Sequence, residues 1–330
     1  MSVGGLQTYT GRVMEAVCLQ GDRICYASKY QSKPRDGMVE VSVLTAGICE
    51  TDLQLKKGYM GFQGVLGHEF VGVPLAGRLA GQRVTGEINC ACGSCDFCRR
   101  GLPRHCTGRS VIGILNHDGA FAETLFVPEE NFHPVPADLS TDRAVFTEPV
   151  AAACRILEQV RIAANDRVVI LGDGRLGNLC AQVLKTTKCS LCVVGKHQSK
   201  LDRLAALGVD NTLLADFQAA SDADFVVDCT GSASGTELAV QAVRACGTII
   251  QKTTVAGTQD LAMAPFVIDE ITLLGSRCGP FAPALELLHT EQVVVDNLIS
   301  GRYPLQEAEA AFEHAEQGDA LKILFDITGE

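Results

Sequence analysis

The stretch that most constrains this chain is residues 168–177, which reads V-V-I-L-G-D-G-R-L-G. The four apolar residues predict a buried parallel strand, and the G-x-G-x-x-G after them predicts a tight turn into a helix. The first glycine of such a turn allows the bend, the second lets backbone amides approach a pyrophosphate, and the third lets helix and strand pack closely. The motif therefore predicts a dinucleotide site at Gly172, Asp173, Gly174, Arg175, Leu176 and Gly177, although similar turns also occur in purely structural loops.

The residues after this motif alternate between helix-like and strand-like patterns. Helices are predicted at 176–184, 200–207 and 235–245, and strands at 191–194, 209–214, 225–227 and 248–251. Strands that alternate with helices indicate a doubly wound parallel sheet with helices on both faces.

The end of the second strand bears on the choice of cofactor. Sites of this type place an acid roughly 20 residues past the motif, where it holds the ribose 2′-hydroxyl of NAD. Here residues 193–197 read V-V-G-K-H, with no acid. Because cations can neutralise a 2′-phosphate, Lys196 and His197 predict a preference for NADP(H), with NAD(H) as the weaker cofactor. The alternative is a solvated helix N-terminus with incidental charge.

Composition narrows the classes of partner. A chain of 330 residues with 47% hydrophobic content suits one large domain or two ordinary ones. A formal charge of −11 and the lack of a Lys/Arg cluster argue against nucleic acid or an anionic membrane and favour a small molecule. Without an apolar run of about 20 residues or a signal peptide, we expect a cytoplasmic protein whose 15 cysteines are reduced, some of them as metal ligands.

Two short segments in the first third of the chain carry metal-ligating residues. A strand-like run at 40–45 leads into A-G-I-C-E-T-D, and G-H-E-F follows at 67–70. A thiolate (Cys49), an imidazole (His68) and nearby carboxylates are the ligands of a catalytic zinc site. A lone cysteine or histidine would more often be part of a core.

A second cysteine cluster has the spacing of a metal site. The spacing C-x2-C-x2-C-x7-C, on a glycine-containing loop, supplies four thiolates for a closed tetrahedral zinc. A redox C-x-x-C or an iron–sulfur cluster would be the alternatives. The predicted structural zinc ligands are Cys92, Cys95, Cys98 and Cys106.

Six motifs occur in the order that is typical of one enzyme family. They are G-I-C-x-T-D, G-H-E, the four cysteines, D-G-A-F-A-E at 118–123, T-E-P at 147–149 and the glycine motif. The chain thus resembles the zinc-dependent medium-chain dehydrogenase/reductase superfamily, nearest to its polyol (sorbitol) and threonine dehydrogenase branch. The resemblance implies an α/β protein with a GroES-like β-rich catalytic domain (residues 1–149, completed by 279–330) and a Rossmann domain (150–278). It also implies a homodimer or homotetramer.

The resemblance assigns roles around the catalytic zinc. Cys49 and His68 match metal ligands, and Glu69 matches a glutamate that binds the metal directly or exchanges with water. Glu148 matches the position of a further ligand. Thr51 matches the hydroxyl that takes the proton from the alcohol, and Asp52 the acid that orients the ligand histidine.

The resemblance also assigns residues to the cofactor. Thr230 and Gly231 match a loop along the dinucleotide, Arg277 lies where the family's chain passes between cofactor and active site, and Lys322 matches a residue on the pyrophosphate. Tyr59, Phe121 and Arg277 are candidates either for substrate contact or for packing. The chain departs from the family at Gln54, where relatives often carry a histidine of the proton relay.

These observations together predict a zinc-dependent alcohol or polyol dehydrogenase with two zinc ions per chain and NADP(H) as the preferred cofactor. Two alternatives remain. The physiological reaction could be reduction of an aldehyde or ketone, or the chain could be a non-catalytic relative that binds NADP without turnover.

Overall fold

The computed structural model describes residues 11–252 and 261–328. The chain folds as two units, each formed by more than one segment. The first comprises Met1–Val145, Gly301–Glu316 and Ile323–Glu330, and the second Phe146–Ser300 and Gln317–Lys322.

The elements before the second unit are mostly short strands. In chain order they are β1 (Val13–Gln20), β2 (Arg23–Gln31), β3 (Met38–Gly47), α1 (Glu50–Lys56), β4 (Gly64–Val65), β5 (Glu69–Pro74), β6 (Val84–Gly86), β7 (Asn89–Cys90), α2 (Asp96–Arg99), β8 (Ser110–Val111), β9 (Thr124–Pro128), β10 (Phe132–Pro134) and α3 (Thr141–Ala144). Single 3-10 turns lie at Tyr59–Gly61, Pro103–His105 and Glu129–Asn131.

The second unit alternates strands and helices, and with the last elements the chain returns to the first unit. In chain order they are α4 (Thr147–Gln159), β11 (Arg167–Leu171), α5 (Arg175–Lys185), β12 (Ser190–Gly195), α6 (Gln198–Ala206), β13 (Asp210–Leu213), β14 (Ala223–Asp228), α7 (Ala233–Ala242), β15 (Val243–Gln251), α8 (Ala264–Ile268), β16 (Thr272–Gly275), α9 (Phe281–His289), β17 (Ile299–Tyr303), α10 (Ala308–Ala315) and β18 (Lys322–Asp326). Two further 3-10 turns lie at Asp296–Leu298 and Leu305–Glu307.

The first unit is built on a seven-stranded sheet. Its order is β10-β6-β5-β3-β18-β17, with β9 also paired to β3, and β3 pairs antiparallel with β5, β9 and β18. A three-stranded sheet, β2-β1-β4, and a two-stranded ribbon, β7-β8, accompany it. This β-rich architecture matches the predicted GroES-like domain.

The second unit contains the predicted parallel sheet. Its strand order is β13-β12-β11-β14-β15-β16, and every adjacent pair is parallel. The chain winds outward from β11 first through β12 and β13, then through β14, β15 and β16. Because the direction of winding changes beside β11, the carboxyl end of that strand is where an open α/β sheet binds ligands.

The predicted return to the catalytic domain at residue 279 differs from the division in the structure. Residues 279–300 group with the second unit, because α9 packs on α4. At the junction before α9, the backbone of Gly279 lies so close to α4 that an added Cβ would meet the Ala151 carbonyl oxygen at 1.6 Å. The chain therefore rejoins the first unit at residue 301.

Strand β11 is buried on both faces, as its apolar run predicts. Val168 and Ile170 have no exposed surface, and Val169 and Leu171 are 3% and 1% exposed. No helix among the described residues is long and apolar enough to cross a membrane.

Phe121 lies in the core of the first unit. The residue has no exposed surface, and its ring packs edge-on against Phe325 and Phe312, with centroids 4.9 and 6.2 Å away. Of the two roles considered for Phe121, this position supports packing.

We expect Phe121→Ala to destabilise the first unit by about 3–5 kcal/mol, because it removes a buried ring and leaves a cavity. The measurement is the midpoint of urea denaturation. Leu75→Ala, at a site that is 51% exposed in the same unit, is the control and should leave the midpoint nearly unchanged. Equal effects of the two substitutions would contradict the packing role.

Candidate metal and dinucleotide sites

The pairing of β3 with β5 brings the predicted catalytic ligands together. Gly47 pairs with Glu69 in this register, so that Cys49, just past β3, comes beside His68, just before β5. One donor atom from each of Cys49, His68 and Glu69 lies within 4.8 Å of the others. His68 and Glu69 are 2% and 0% exposed. A half-buried thiol with a buried imidazole and a buried carboxylate at this spacing forms a donor set that fits zinc.

Asp52 holds this group in place from inside the protein. It has no exposed surface, and its Oδ2 accepts the Cys49 backbone N–H at 2.8 Å. Its Oδ1 accepts the Gly67 N–H at 3.3 Å and lies 3.5 Å from the His68 Nδ1. One carboxylate thus links the two segments that carry the ligands, which agrees with the orienting role expected of an acid behind a ligand histidine.

The same neighbours set the electrostatics of His68. Burial disfavours the charged imidazole, but the negative charges of Asp52 and of a Cys49 thiolate outweigh burial and raise the pKa of His68 well above its ordinary value. The site is therefore built to hold positive charge, as a cation-binding cluster should be.

Other predicted residues lie on nearby elements. The Thr51 hydroxyl is 3.9 Å from the Cys49 sulfur, and Gln54 donates to Glu50 at 2.8 Å. Tyr59 is half-buried in a 3-10 turn. Glu148 is 8% exposed in the first turn of α4, which belongs to the second unit, so its place among the ligands stays a prediction.

The four spaced cysteines come together on the loop between β7 and β8. One sulfur from each of Cys92, Cys95, Cys98 and Cys106 lies within 4.8 Å of the others. Cys106 is the single buried residue between positions 91 and 110, so this lobe has no apolar core of its own. A group of four thiols that replaces a core is the arrangement of a structural zinc site.

The surroundings of the lobe thiols shift the pKa values of Cys92 and Cys98 in opposite directions. Hydrogen bonds from amide N–H groups, chiefly that of Ser94, lower the pKa of Cys92 to about 6. Desolvation is the main cause that raises the pKa of Cys98 to about 12. Four adjacent thiolates need a bound cation to ionise together. Cys90 stands apart as a buried thiol, because desolvation raises its pKa to about 11.

The glycine turn after β11 has the geometry that its motif predicts. Gly172 has φ of +112°, and a Cβ on Gly177 would lie 1.9 Å from the Gly172 carbonyl oxygen. A Cβ on Gly174, the N-cap of α5, would meet no atom within 4 Å. This open space at a helix N-terminus fits the approach of a pyrophosphate. Leu176 is half-buried, and Arg175 donates to the Leu321 carbonyl at 2.8 Å.

Lys196 and His197 are exposed just past the carboxyl end of β12. The predicted preference for NADP(H) requires cations at this strand end. The Asp173 carboxylate accepts both of their backbone N–H groups, at 2.8 and 2.6 Å. Sequence analysis included Asp173 as part of the turn and gave no role to its carboxylate.

Sequence analysis missed Asp228, a fully buried acid at the end of β14. Its Oδ1 accepts the backbone N–H and the hydroxyl of Thr230, at 2.9 and 2.8 Å, and its Oδ2 accepts from Thr236 and Gln251. Asp228 therefore shapes the turn of Thr230 and Gly231, where Gly231 has φ of +68°. Its place directly after an apolar strand was the available signal.

The remaining predicted cations differ in exposure. Arg277 is exposed and donates to the Cys278 sulfur at 3.3 Å. Lys322 has no exposed surface, and its Nζ lies 5.3 Å from the centre of the Phe146 ring. Sequence analysis also missed Lys252, a buried lysine at the end of β15 that donates to the Ala152 carbonyl at 2.6 Å.

Two family models match the chain, one in each unit. The alcohol dehydrogenase GroES-like domain matches residues 35–137, and the zinc-binding dehydrogenase domain matches residues 176–290. The sorbitol dehydrogenase of Halalkalibacterium halodurans is 27% identical over 321 residues, which cover 90% of this chain and 93% of that protein.

Solved structures agree with these matches. Alcohol dehydrogenase TADH from Thermus sp. ATN1 superposes with a TM-score of 0.85 at 27% identity, covering 95% of this chain and all of that one. A structure described as a zinc-binding dehydrogenase from Sinorhizobium meliloti, bound to NADP, has a TM-score of 0.84 at 26% identity and covers 96% of this chain and 99% of that one.

The chain belongs to the zinc-dependent medium-chain dehydrogenase/reductase superfamily, in its sorbitol-dehydrogenase-like branch. It is an oxidoreductase of the alcohol/polyol dehydrogenase type, in a family that uses zinc and a nicotinamide cofactor.

Two glycine substitutions in the dinucleotide turn should have different effects. Gly177→Ala should lower the melting temperature and abolish binding of ADP-ribose, because the new methyl group overlaps the Gly172 carbonyl. Gly174→Ala should leave the melting temperature near the wild-type value, since its φ of −70° suits alanine, but weaken ADP-ribose binding. Calorimetry of both variants tests this, and a Gly177→Ala protein with wild-type stability would contradict it.

Proposed function

We propose that this protein is a zinc-dependent dehydrogenase that transfers hydride between an alcohol or polyol, or the corresponding aldehyde or ketone, and NADP(H). The observation that carries the proposal is the convergence of half-buried Cys49 with buried His68 and Glu69, behind which Asp52 bonds to both ligand-bearing segments. These residues would hold the catalytic ion, with Glu148 as a further ligand, and the four lobe cysteines would hold a second, structural ion.

The chemistry divides between the bound groups and the chain. Zinc supplies Lewis-acid polarisation of an alcohol or carbonyl oxygen, and the nicotinamide supplies hydride chemistry. Thr51, close to the Cys49 sulfur, would accept the proton of the substrate hydroxyl and pass it towards water. Asp52 keeps the ligand geometry fixed. Gln54, bonded to Glu50, cannot act as the titrating relay of a histidine, so the proton would leave through water.

The preference for NADP(H) rests on the exposed side chains of Lys196 and His197 and on the absence of an acid at Gly195. The resemblance to the NADP-bound structure from Sinorhizobium meliloti supports it. We also propose that the turn of Thr230 and Gly231, together with Arg277 and Lys322, contacts the dinucleotide.

Two alternatives have different support. A physiological carbonyl reductase would use the same residues, and the D-xylulose reductase A of Aspergillus niger, 26% identical over 323 residues, gives that direction a precedent. A non-catalytic NADP-binding relative is less well supported, because such a protein has no need to keep three converging ligands beside Thr51.

We further propose a homo-oligomer, a dimer or tetramer in a cytoplasmic setting. Strand β16 is the last strand of the parallel sheet, and edge strands offer backbone groups for pairing. Leu273 on this strand is 46% exposed, and Val267 and Ile268 on α8 are 75% and 76% exposed. An apolar edge of this kind favours a second copy as its partner.

Metal content should separate the two sites. We expect about two zinc ions per chain in the wild type and about one each in Cys49→Ser and Cys98→Ser. Cys49→Ser should lose turnover and keep its melting temperature, whereas Cys98→Ser should melt at a lower temperature, because the lobe has no other core. Cys25→Ser, which changes a non-ligand thiol, is the control. Full turnover after chelation of all zinc would overturn the proposal.

A substrate panel should identify the reaction. We expect turnover on one class among simple alcohols, sugar alcohols, aldoses and threonine, with a higher kcat/KM for NADP than for NAD. Nicotinamide absorbance is the measurement. Equal or better use of NAD would refute the cofactor preference. Absence of turnover on any class, with cofactor binding intact, would favour the non-catalytic alternative.

A further inference from the structure

The Asp173 carboxylate is hydrogen-bonded to the end of β12, although Asp173 itself follows β11. Asp173 lies in the turn after β11, yet its Oδ2 accepts the backbone N–H groups of Lys196 and His197 at the end of β12. The His197 Nδ1 lies 3.1 Å from the same oxygen, and Asp173 is only 7% exposed. Two backbone N–H donors and the adjacent imidazole therefore hold the carboxylate in place.

This carboxylate occupies the place of the side chain that Gly195 lacks. A Cβ built on Gly195 would lie 2.5 Å from the Asp173 Cβ and 2.7 Å from its Oδ2. Residue 195 ends the second strand, which is where dinucleotide sites carry the acid that binds the ribose 2′-hydroxyl. The sequence has no acid at residue 195, but the Asp173 carboxylate lies where the side chain of residue 195 would be.

The other oxygen of Asp173 can accept a further hydrogen bond. Among the described residues, Oδ1 has one hydrogen-bond partner, the His197 Nδ1 at 3.2 Å. A carboxylate oxygen has two acceptor positions, so a ribose hydroxyl could donate to it. A 2′-phosphate at the same place would meet a like charge.

Positive charge surrounds this acid. Lys196 and His197 are exposed beside it, and Lys200 is 8% exposed, with a charge that interacts with Asp173 and Asp319. The cations favour a phosphate, whereas the carboxylate favours a free hydroxyl. The selectivity of the site is therefore a balance between the two.

We propose that Asp173 is the specificity-determining acid of the cofactor site: it binds the adenosine ribose of NAD and limits the preference for NADP that the neighbouring cations create. The inference rests on the proposed function only in that the chain binds a nicotinamide dinucleotide. It assigns NAD a real affinity even if NADP binds more tightly.

The test compares Asp173→Asn with the wild type in direct binding of NADPH and NADH, followed by nicotinamide fluorescence. We expect the ratio of NADPH affinity to NADH affinity to rise about tenfold, because the phosphate loses a like charge and the ribose hydroxyl loses a charged acceptor. Asp202→Asn is the matched control. It removes one exposed carboxylate, which accepts a hydrogen bond from Gln198, on α6, the helix that follows His197, and should leave the ratio unchanged.

A second pair of variants separates cofactor binding from support of the turn. Asp173→Gly should weaken NADH binding, and adding Gly195→Asp to it should restore that affinity, because the acid returns to the strand end. Melting temperatures confirm that each variant folds. Failure of the double variant to regain NADH affinity, in a protein that folds, would overturn the proposal.

Other outcomes have definite meanings. An equal loss of both cofactors in Asp173→Asn would show that the acid only holds the turn, and a fall in the ratio would show that it presents His197 to a phosphate. Either result overturns the inference. Wild-type protein that binds NADH as tightly as NADPH would overturn only the proposed NADP preference, since the shift caused by Asp173→Asn is measured relative to that value.

Discussion

The dinucleotide unit depends on an approach of backbones so close that no methyl group fits between them. Gly177 at the start of α5 lies against the Gly172 carbonyl, and a Cβ on Gly172 would lie 2.7 Å from the Cys229 carbonyl oxygen. Three segments, the turn after β11, the first turn of α5 and the end of β14, therefore meet at one point. This contact fixes the direction of the α5 N-terminus, and with it the place where an anion can bind.

Buried carboxylates organise the loops in both units. Asp52 accepts N–H groups from the two segments that carry metal ligands, Asp173 joins the glycine turn to the end of β12, and Asp228 shapes the turn after β14. Buried N–H groups without partners would destabilise the fold, and buried carboxylates without donors would do the same. Each pairing gives both the N–H groups and the carboxylate their hydrogen-bond partners. The loops that carry the candidate site residues thus share one device, a buried carboxylate that accepts backbone N–H groups.

Much of the fold was predictable because its signals are local. The strand at 168–171, the helix after it and the four-cysteine lobe follow from short-range patterns that the structure reproduces. The boundary between the third predicted helix and the strand after it was wrong. A helix was predicted to continue to residue 245, whereas α7 ends at Ala242 and β15 begins at Val243. Val243 is β-branched, which favours a strand over a helix.

The parts that could not be predicted depend on interactions between distant residues. The role of the Asp173 carboxylate requires a bond to residues 23 and 24 positions away, and no spacing rule describes it. Asp228 belongs to no sequence motif. Its hydrogen-bond partners Thr230, Thr236 and Gln251 lie in three different segments of the chain, so a local pattern does not reveal its role. The packing of α9 on α4, which groups residues 279–300 with the second unit, is likewise a contact between segments far apart in the sequence. Glu148 was assigned by resemblance, and residues 146–300 form a separate unit from the one that holds the other ligands.

The lobe that carries Cys92, Cys95, Cys98 and Cys106 has a consequence for how the protein matures. With Cys106 as its single buried residue, the lobe would owe its order to binding of the proposed structural zinc and not to apolar packing of its own sequence. A chain synthesised where zinc is scarce would carry the same residues without the same shape. Its exposed, unstructured loop would then be open to proteases, so that the abundance of the intact protein would follow the metal supply of the cell.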